Sequence, residues 1–188
     1  TQMKGLNSIP KAKKTYKSKI FLQDGTPLID GISSWWTACH GYNNSHIKKK
    51  IITQLNNMPH VMFGGLIHEQ AINLSKRLIK LLNNKLEKVF FTDSGSVSVE
   101  VALKISIQYW LNKGYKNKNK FVFFKNGYHG DTSGTMAICD PEEGMHKLFE
   151  NYLNKNYMLK IPDTKKEQDY FINFLNKNSN RIAAVIIE

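Results

Sequence analysis

The chain has 188 residues, 41% hydrophobic and 22% charged, with 27 Lys and Arg against 15 Asp and Glu for a formal net charge of +12. That is apolar enough to bury a core and excludes a disordered polyelectrolyte. No run approaches the roughly 18 apolar residues of a membrane span, and the basic opening TQMKGLNSIPKAKK lacks the apolar centre of a secretory signal, which predicts a soluble, cytoplasmic protein.

In chain order, KIFLQDGTPLIDGISSWW reads as two short strands joined by the Asp24-Gly25 turn, a strong hairpin signal. Trp35 and Trp36 close that run. On an extended segment neighbouring side chains point opposite ways, so one tryptophan is expected in the core and the other along a pocket, with plain packing as the alternative. Cys39 and Cys139 form no CxxC and lie far apart, so both are expected as free thiols.

The spacing of Ile47, Ile51, Ile52 and Leu55 predicts a helix over Ser45–Asn57, capped by Ser45 and ended by Met58-Pro59. An apolar loop, HVMFGGLIH, leads to a second amphipathic helix over residues 69–82. Strands are expected at residues 87–91, 120–125 and 182–187, and helices near 140–152 and 165–176. Strands alternating with helices define an α/β class, a mainly parallel sheet covered on both faces. The lysine groups at Lys11, Lys13 and Lys14, at Lys48 to Lys50 and at Lys116, Lys118 and Lys120 are dispersed among asparagines, and a solvated surface is expected rather than a nucleic-acid site. A basic nucleic-acid module is the reading from another class.

Two segments carry chemistry. VFFTDSGSVSVEVALK, residues 89–104, reads as strand, tight turn and helix, a geometry that leaves the first helical amides pointing outward with the positive end of the helix dipole behind them. The Gly95-Ser96 corner can then hold a phosphate, although Asp and Ser are also ordinary N-caps and Gly an ordinary turn residue. NGYHGD, residues 126–131, follows the strand FVFFK at the sheet edge where ligands bind in open α/β folds. Tyr128 there can stack on a flat ring or merely cover the core. His129 can be an acid, a base or a donor, or simply face solvent.

Taken in order, DGISSWWTACHGYNN, HVMFGGLIHE, VFFTDSGSVSVEVALK, FKNGYHGDTSGTMAICDP and IAAVIIE resemble successive motifs of the class III, pyridoxal-phosphate-dependent aminotransferases. The resemblance implies a fold type I PLP-dependent transferase, with residues 1–57 part of a small domain and 58–188 the first portion of a large cofactor-binding domain. It implies pyridoxal 5'-phosphate held by Gly95 and Ser96, with Tyr128 beside the cofactor ring and in the substrate pocket. Trp35 is implied to line the substrate site, and Glu188 to end the strand near the cofactor.

More narrowly, Trp35-Trp36 with DSGSVSVEVALK and NGYHGDT is similar to the members that pass the amino group of S-adenosylmethionine to 8-amino-7-oxononanoate in biotin synthesis. A homodimer with HVMFGGLIH at its interface is implied as well. Members acting on ornithine, 4-aminobutyrate or another ω-amine are the nearest alternative. The Schiff-base lysine and the aspartate that meets the cofactor's ring nitrogen match no position here, nor does the family's N-terminal substrate-binding tyrosine. A catalytically incomplete N-terminal fragment is therefore expected, with no catalytic residue of its own.

Overall fold

Short runs of β-branched and aromatic residues separated by turns build the first part of the chain. Strands β1 (Ala12–Tyr16), β2 (Lys19–Leu22) and β3 (Pro27–Ile29) form an antiparallel sheet in that order, with a bulge between Ala12 and Lys14. In this computed structural model residue 5, residues 8–142, residue 144 and residues 147–188 are described. The β2–β3 turn is the Asp24-Gly25 hairpin expected, with Gly25 at φ 91° and the Asp24 carboxylate accepting the Thr26 amide at 2.9 Å. Strand β1 had no comparable signal, because its AKKTY sequence lacks the apolar alternation that marks a half-buried strand.

Helix α1 (Ser45–Asn57) is capped by Asn44 rather than Ser45, the Asn44 Oδ1 accepting the amides of His46 and Ile47 at 3.1 and 3.2 Å. Asparagine and serine cap equally well, and Asn44 alone has the non-helical backbone the position needs. Helix α2 (Glu69–Leu81) follows. Compact units divide the chain at Thr1–Asn84 and Lys85–Glu188, so α1 and α2 both fall in the first unit.

The second unit is an α/β layer. Parallel strands lie in the order β5 (Tyr157–Leu159), β4 (Lys120–Phe124), β6 (Ile182–Val185), with β4 central. Because side chains alternate across a strand, Phe121 and Phe123 share one face of β4. They join Leu103 of α3 (Gly95–Asn112) and Ile138 in the buried core, with Val99, Ile107, Ala183, Ala184 and Ile186 packed around them. On β4's other face Phe124 meets Phe171 of α5 (Lys165–Lys177), their rings 5.9 Å apart. Trp110 ties α3 to β6 by donating its indole N–H to the Ala183 carbonyl at 2.7 Å.

Among the described residues two expected elements are not found, and a strand at Tyr157–Leu159, like β1, was unforeseen. Residues 87–91 form no strand ladder among the described residues, and Phe90 is 70% exposed. Apolar content marks such a run as sheet-compatible, but a strand exists only where a neighbour supplies hydrogen bonds. Over residues 140–152 the chain makes turns and one short 3₁₀ segment, Lys147–Phe149, with residues 143, 145 and 146 outside those described. There the Asp140 carboxylate accepts the amides of Glu142 and Asn126, a local alternative to helical bonding reinforced by Pro141. Strand β5 sits in YML, too short to stand out by pattern. Ile138 is fully buried, so Ile138→Ala is expected to lower the stability of this unit by about 2–5 kcal/mol. Urea unfolding should show a lower midpoint at unchanged slope, and an unshifted midpoint would remove Ile138 from the core.

Candidate active site

Ser94 is the N-cap of α3, its extended backbone turning the chain and its hydroxyl accepting the Val97 amide at 3.1 Å. The carbonyl of Ser94 takes the Ser98 amide. That leaves the amides of Gly95 and Ser96, the first two helical residues, without an acceptor among the described residues. Beyond its chain neighbours and its own helix backbone, nothing lies within 4 Å of where a Cβ on Gly95 would stand, so the space a side chain would take at this corner is open. The corner combines two outward N–H groups, the α3 dipole and the Ser96 hydroxyl, a set that fits a phosphate.

Next to it runs the loop of residues 126–132. Gly130, at φ 127°, lies against the α3 start so closely that a Cβ there would stand 2.8 Å from the Ser96 Cα. The Asp131 amide donates to Ser96 Oγ at 3.2 Å, which leaves the Ser96 hydroxyl hydrogen available to an anion. Further amides of the loop are met by side chains rather than by a ladder. Asn126 N donates to Asp140 Oδ2 at 2.9 Å, Tyr128 N to Glu188 Oε2 at 2.8 Å, and His129 N to the Cys139 sulfur at 3.0 Å. Glu188 thus holds the loop that carries Tyr128, and Gly95, Ser96, Tyr128 and Glu188 belong to one connected arrangement.

Tyr128 presents its ring to solvent at 47% exposure while its hydroxyl donates to Asp131 Oδ2 at 2.8 Å. That hydrogen bond, helped by burial and the carboxylate's charge, pushes the phenol up to about 12. It stays protonated in neutral solution and its ring orientation is fixed. His129 is half-buried, which lowers its pKa from the ordinary value against a smaller opposing pull from Glu188. The imidazole is therefore neutral at pH 7. Burial raises the pKa of the Cys139 thiol, which suits a packing and hydrogen-bonding role.

Trp35 lies in the other unit, and its surroundings differ from those expected. Ser33, Ser34, Trp35 and Trp36 have φ of 50°, 46°, 52° and 69°, so the segment is a left-handed turn and not extended. Both tryptophans are exposed, at 83% and 81%, where one was expected in the core. Such a run costs about 1–2 kcal/mol per residue. It is braced by Asp30, whose Oδ2 accepts from the Tyr42 hydroxyl at 2.6 Å and from Ser34 Oγ at 2.9 Å. No dipeptide rule signals a left-handed turn made without glycine.

An α/β sheet, an open anion corner at a helix start and an aromatic loop docked on that corner are the parts of a phosphate-cofactor site. A family model described as Aminotransferase class-III matches residues 4–188, and the chain belongs to that family. It is 42% identical over 188 residues to the adenosylmethionine-8-amino-7-oxononanoate aminotransferase of Buchnera aphidicola subsp. Schizaphis graminum, an alignment covering 96% of this chain and 43% of that relative. The chain thus spans less than half the length of this relative. Among solved structures it is similar to adenosylmethionine-8-amino-7-oxononanoate aminotransferase from Methanocaldococcus jannaschii, with TM-score 0.89 and 28% identity over 98% of this chain and 42% of that one. It is also similar to an amine transaminase from an uncultivated Pseudomonas species in its PLP-bound form, with TM-score 0.85 and 25% identity over 96% of this chain and 44% of the other. The fold is accordingly that of the PLP-dependent transaminases.

The Tyr128–Asp131 pair has a measurable consequence. NMR of ring-labelled tyrosine should show the Tyr128 phenol titrating near pH 12, and Asp131→Ala should bring it down toward the unperturbed value of about 10. An identical titration in both proteins would show that Asp131 does not hold the phenol.

Proposed function

We propose that the whole protein is a pyridoxal-phosphate-dependent aminotransferase of biotin synthesis, moving the amino group of S-adenosylmethionine to 8-amino-7-oxononanoate to give 7,8-diaminononanoate. The observation that carries this reading is the 42% identity to a relative of that name across 96% of the chain. The open Gly95-Ser96 corner beside the Tyr128 loop supports the cofactor part of it.

In this reading the amides of Gly95 and Ser96 and the Ser96 hydroxyl hold the cofactor phosphate, with the α3 dipole adding to the attraction. Tyr128 lies beside the cofactor ring and borders the substrate, its protonated hydroxyl held by Asp131. Glu188 keeps the loop in place through the Tyr128 amide. Trp35 lines the substrate site. Pyridoxal phosphate, when bound, supplies a ring that takes up electrons from the substrate carbon. The lysine that attaches the cofactor matches no position in these residues, so this chain's part is to seat the cofactor and orient what surrounds it. Residues 58–188 belong to the larger cofactor-binding domain and residues 1–57 to a smaller one, in a cytoplasmic homodimer with residues 60–68 at its interface.

The similarity to an amine transaminase favours a second reading, a class III enzyme acting on an ω-amine. The two part on the amino donor. Incubating the whole protein loaded with pyridoxal phosphate should change the visible band of the cofactor on addition of S-adenosylmethionine and not of ornithine or 4-aminobutyrate. With 8-amino-7-oxononanoate present, mass spectrometry should detect 7,8-diaminononanoate. A response to ornithine alone would overturn the first reading in favour of the second.

A further inference from the structure

Glu100 has no part in the site described so far, yet it touches the same loop from the same helix. It lies four residues after Ser96 on α3, hence one turn along the same face. Its Oε2 accepts from the Thr132 hydroxyl at 2.5 Å and from the Gly134 amide at 2.9 Å. These groups lie at the point where the aromatic loop passes into the short helix α4 (Ser133–Met136). Thr132, the N-cap of α4, makes no cap hydrogen bond of its own. A carboxylate borrowed from α3 supplies it instead.

The packing is as specific as the hydrogen bonds. A Cβ on Gly134 would stand 2.7 Å from the Glu100 carboxyl carbon, so the backbone approaches this side chain as closely as Gly130 approaches Ser96. Thr132 Oγ1 also lies 3.0 Å from the hydroxyl of Thr135, which is fully buried. The loop is therefore clamped to α3 at two levels one turn apart, by Ser96 at Asp131 and by Glu100 at Thr132 and Gly134. Tyr128, held by Glu188 through its own amide, lies three residues before this double clamp begins. Loss of the lower clamp would leave the Gly134 amide and the Thr132 hydroxyl to find water, and would free the loop to lift from the anion corner.

We propose that Glu100 is a positioning residue, which through Thr132 and Gly134 fixes residues 126–132 against the start of α3 and thereby sets Tyr128 at the cofactor seat. The inference deepens the aminotransferase reading and rests on it for the identity of the cofactor. Glu100 acts without belonging to the anion corner itself. Its carboxylate is needed as an acceptor at a fixed place, so a glutamine carbonyl should serve in part and an alanine should not.

The test compares the whole wild-type protein with Glu100→Ala and Glu100→Gln by hydrogen exchange and by pyridoxal phosphate titration. In Glu100→Ala the amides of residues 128–134 should exchange about tenfold faster and pyridoxal phosphate should bind about tenfold more weakly, with amides of α5 unchanged; Glu100→Gln should stay within about threefold of wild type on both counts. The visible circular dichroism of the bound cofactor should weaken in the alanine variant and recover in the glutamine one. Unchanged loop exchange in Glu100→Ala would overturn the proposal whatever the cofactor does. Uniform acceleration across the unit would overturn it by making Glu100 a residue of general stability. Faster loop exchange with unaltered cofactor affinity would refute the link to the seat. A wild-type protein that takes up no pyridoxal phosphate would instead defeat the aminotransferase reading, with the exchange experiment still deciding the clamp.

Discussion

The site depends on how one loop without a sheet partner satisfies its backbone. Residues 126–134 leave the end of β4 and cross the start of α3, and five of their amides donate to side chains: Asp140, Glu188, the Cys139 sulfur, Ser96 and Glu100. A backbone donor left unmet away from water costs about as much as a lost hydrogen bond, and bonds to charged acceptors are worth about 1.5–3 kcal/mol each. Three of the acceptors are carboxylates drawn from three places in the chain. Together they hold the loop against the start of α3, where Asp131, the acceptor of the Tyr128 hydroxyl, also donates its amide to Ser96.

Glycine makes the same arrangement possible sterically. Gly130 needs a positive φ and presses on Ser96, so a side chain there would push the loop off α3, while a side chain at Gly134 would displace the Glu100 carboxylate from its hydrogen bonds. At Gly95 the reason is different, since nothing fills the space a side chain would enter. The first pair serves contact between backbone and helix, and the third leaves room for a ligand. The sheet supplies the rigid base, with β4 buried along Phe121 to Phe124 and carrying the loop at its C-terminal end.

Much of this was legible in the residues. The amphipathic spacing of α1 and α2, the Asp24-Gly25 hairpin and the turn into a helix at Gly95 depend on local rules and are found where those rules place them. The misses depend on partners. Residues 87–91 are apolar but have no ladder among the described residues, and residues 140–152 follow the demands of the Asp140 carboxylate instead of their helical pattern. The same holds for the site. Gly95, Ser96 and Tyr128 stand in recognisable motifs, whereas Glu100 looks like any helix-surface glutamate until the fold brings Thr132 and Gly134 to it. The left-handed turn at Trp35 and Trp36 was invisible for a related reason, because Asp30 and Tyr42, which brace it, are joined only by folding.

The central claim is that the first amides of α3 form the seat of the cofactor phosphate. A crystal structure of the whole protein with pyridoxal phosphate tests it most directly. Phosphate oxygens are expected about 2.7–3.2 Å from the amide nitrogens of Gly95 and Ser96, with the cofactor ring beside Tyr128. A phosphate bound elsewhere, with water alone in front of Gly95 and Ser96, would contradict the account.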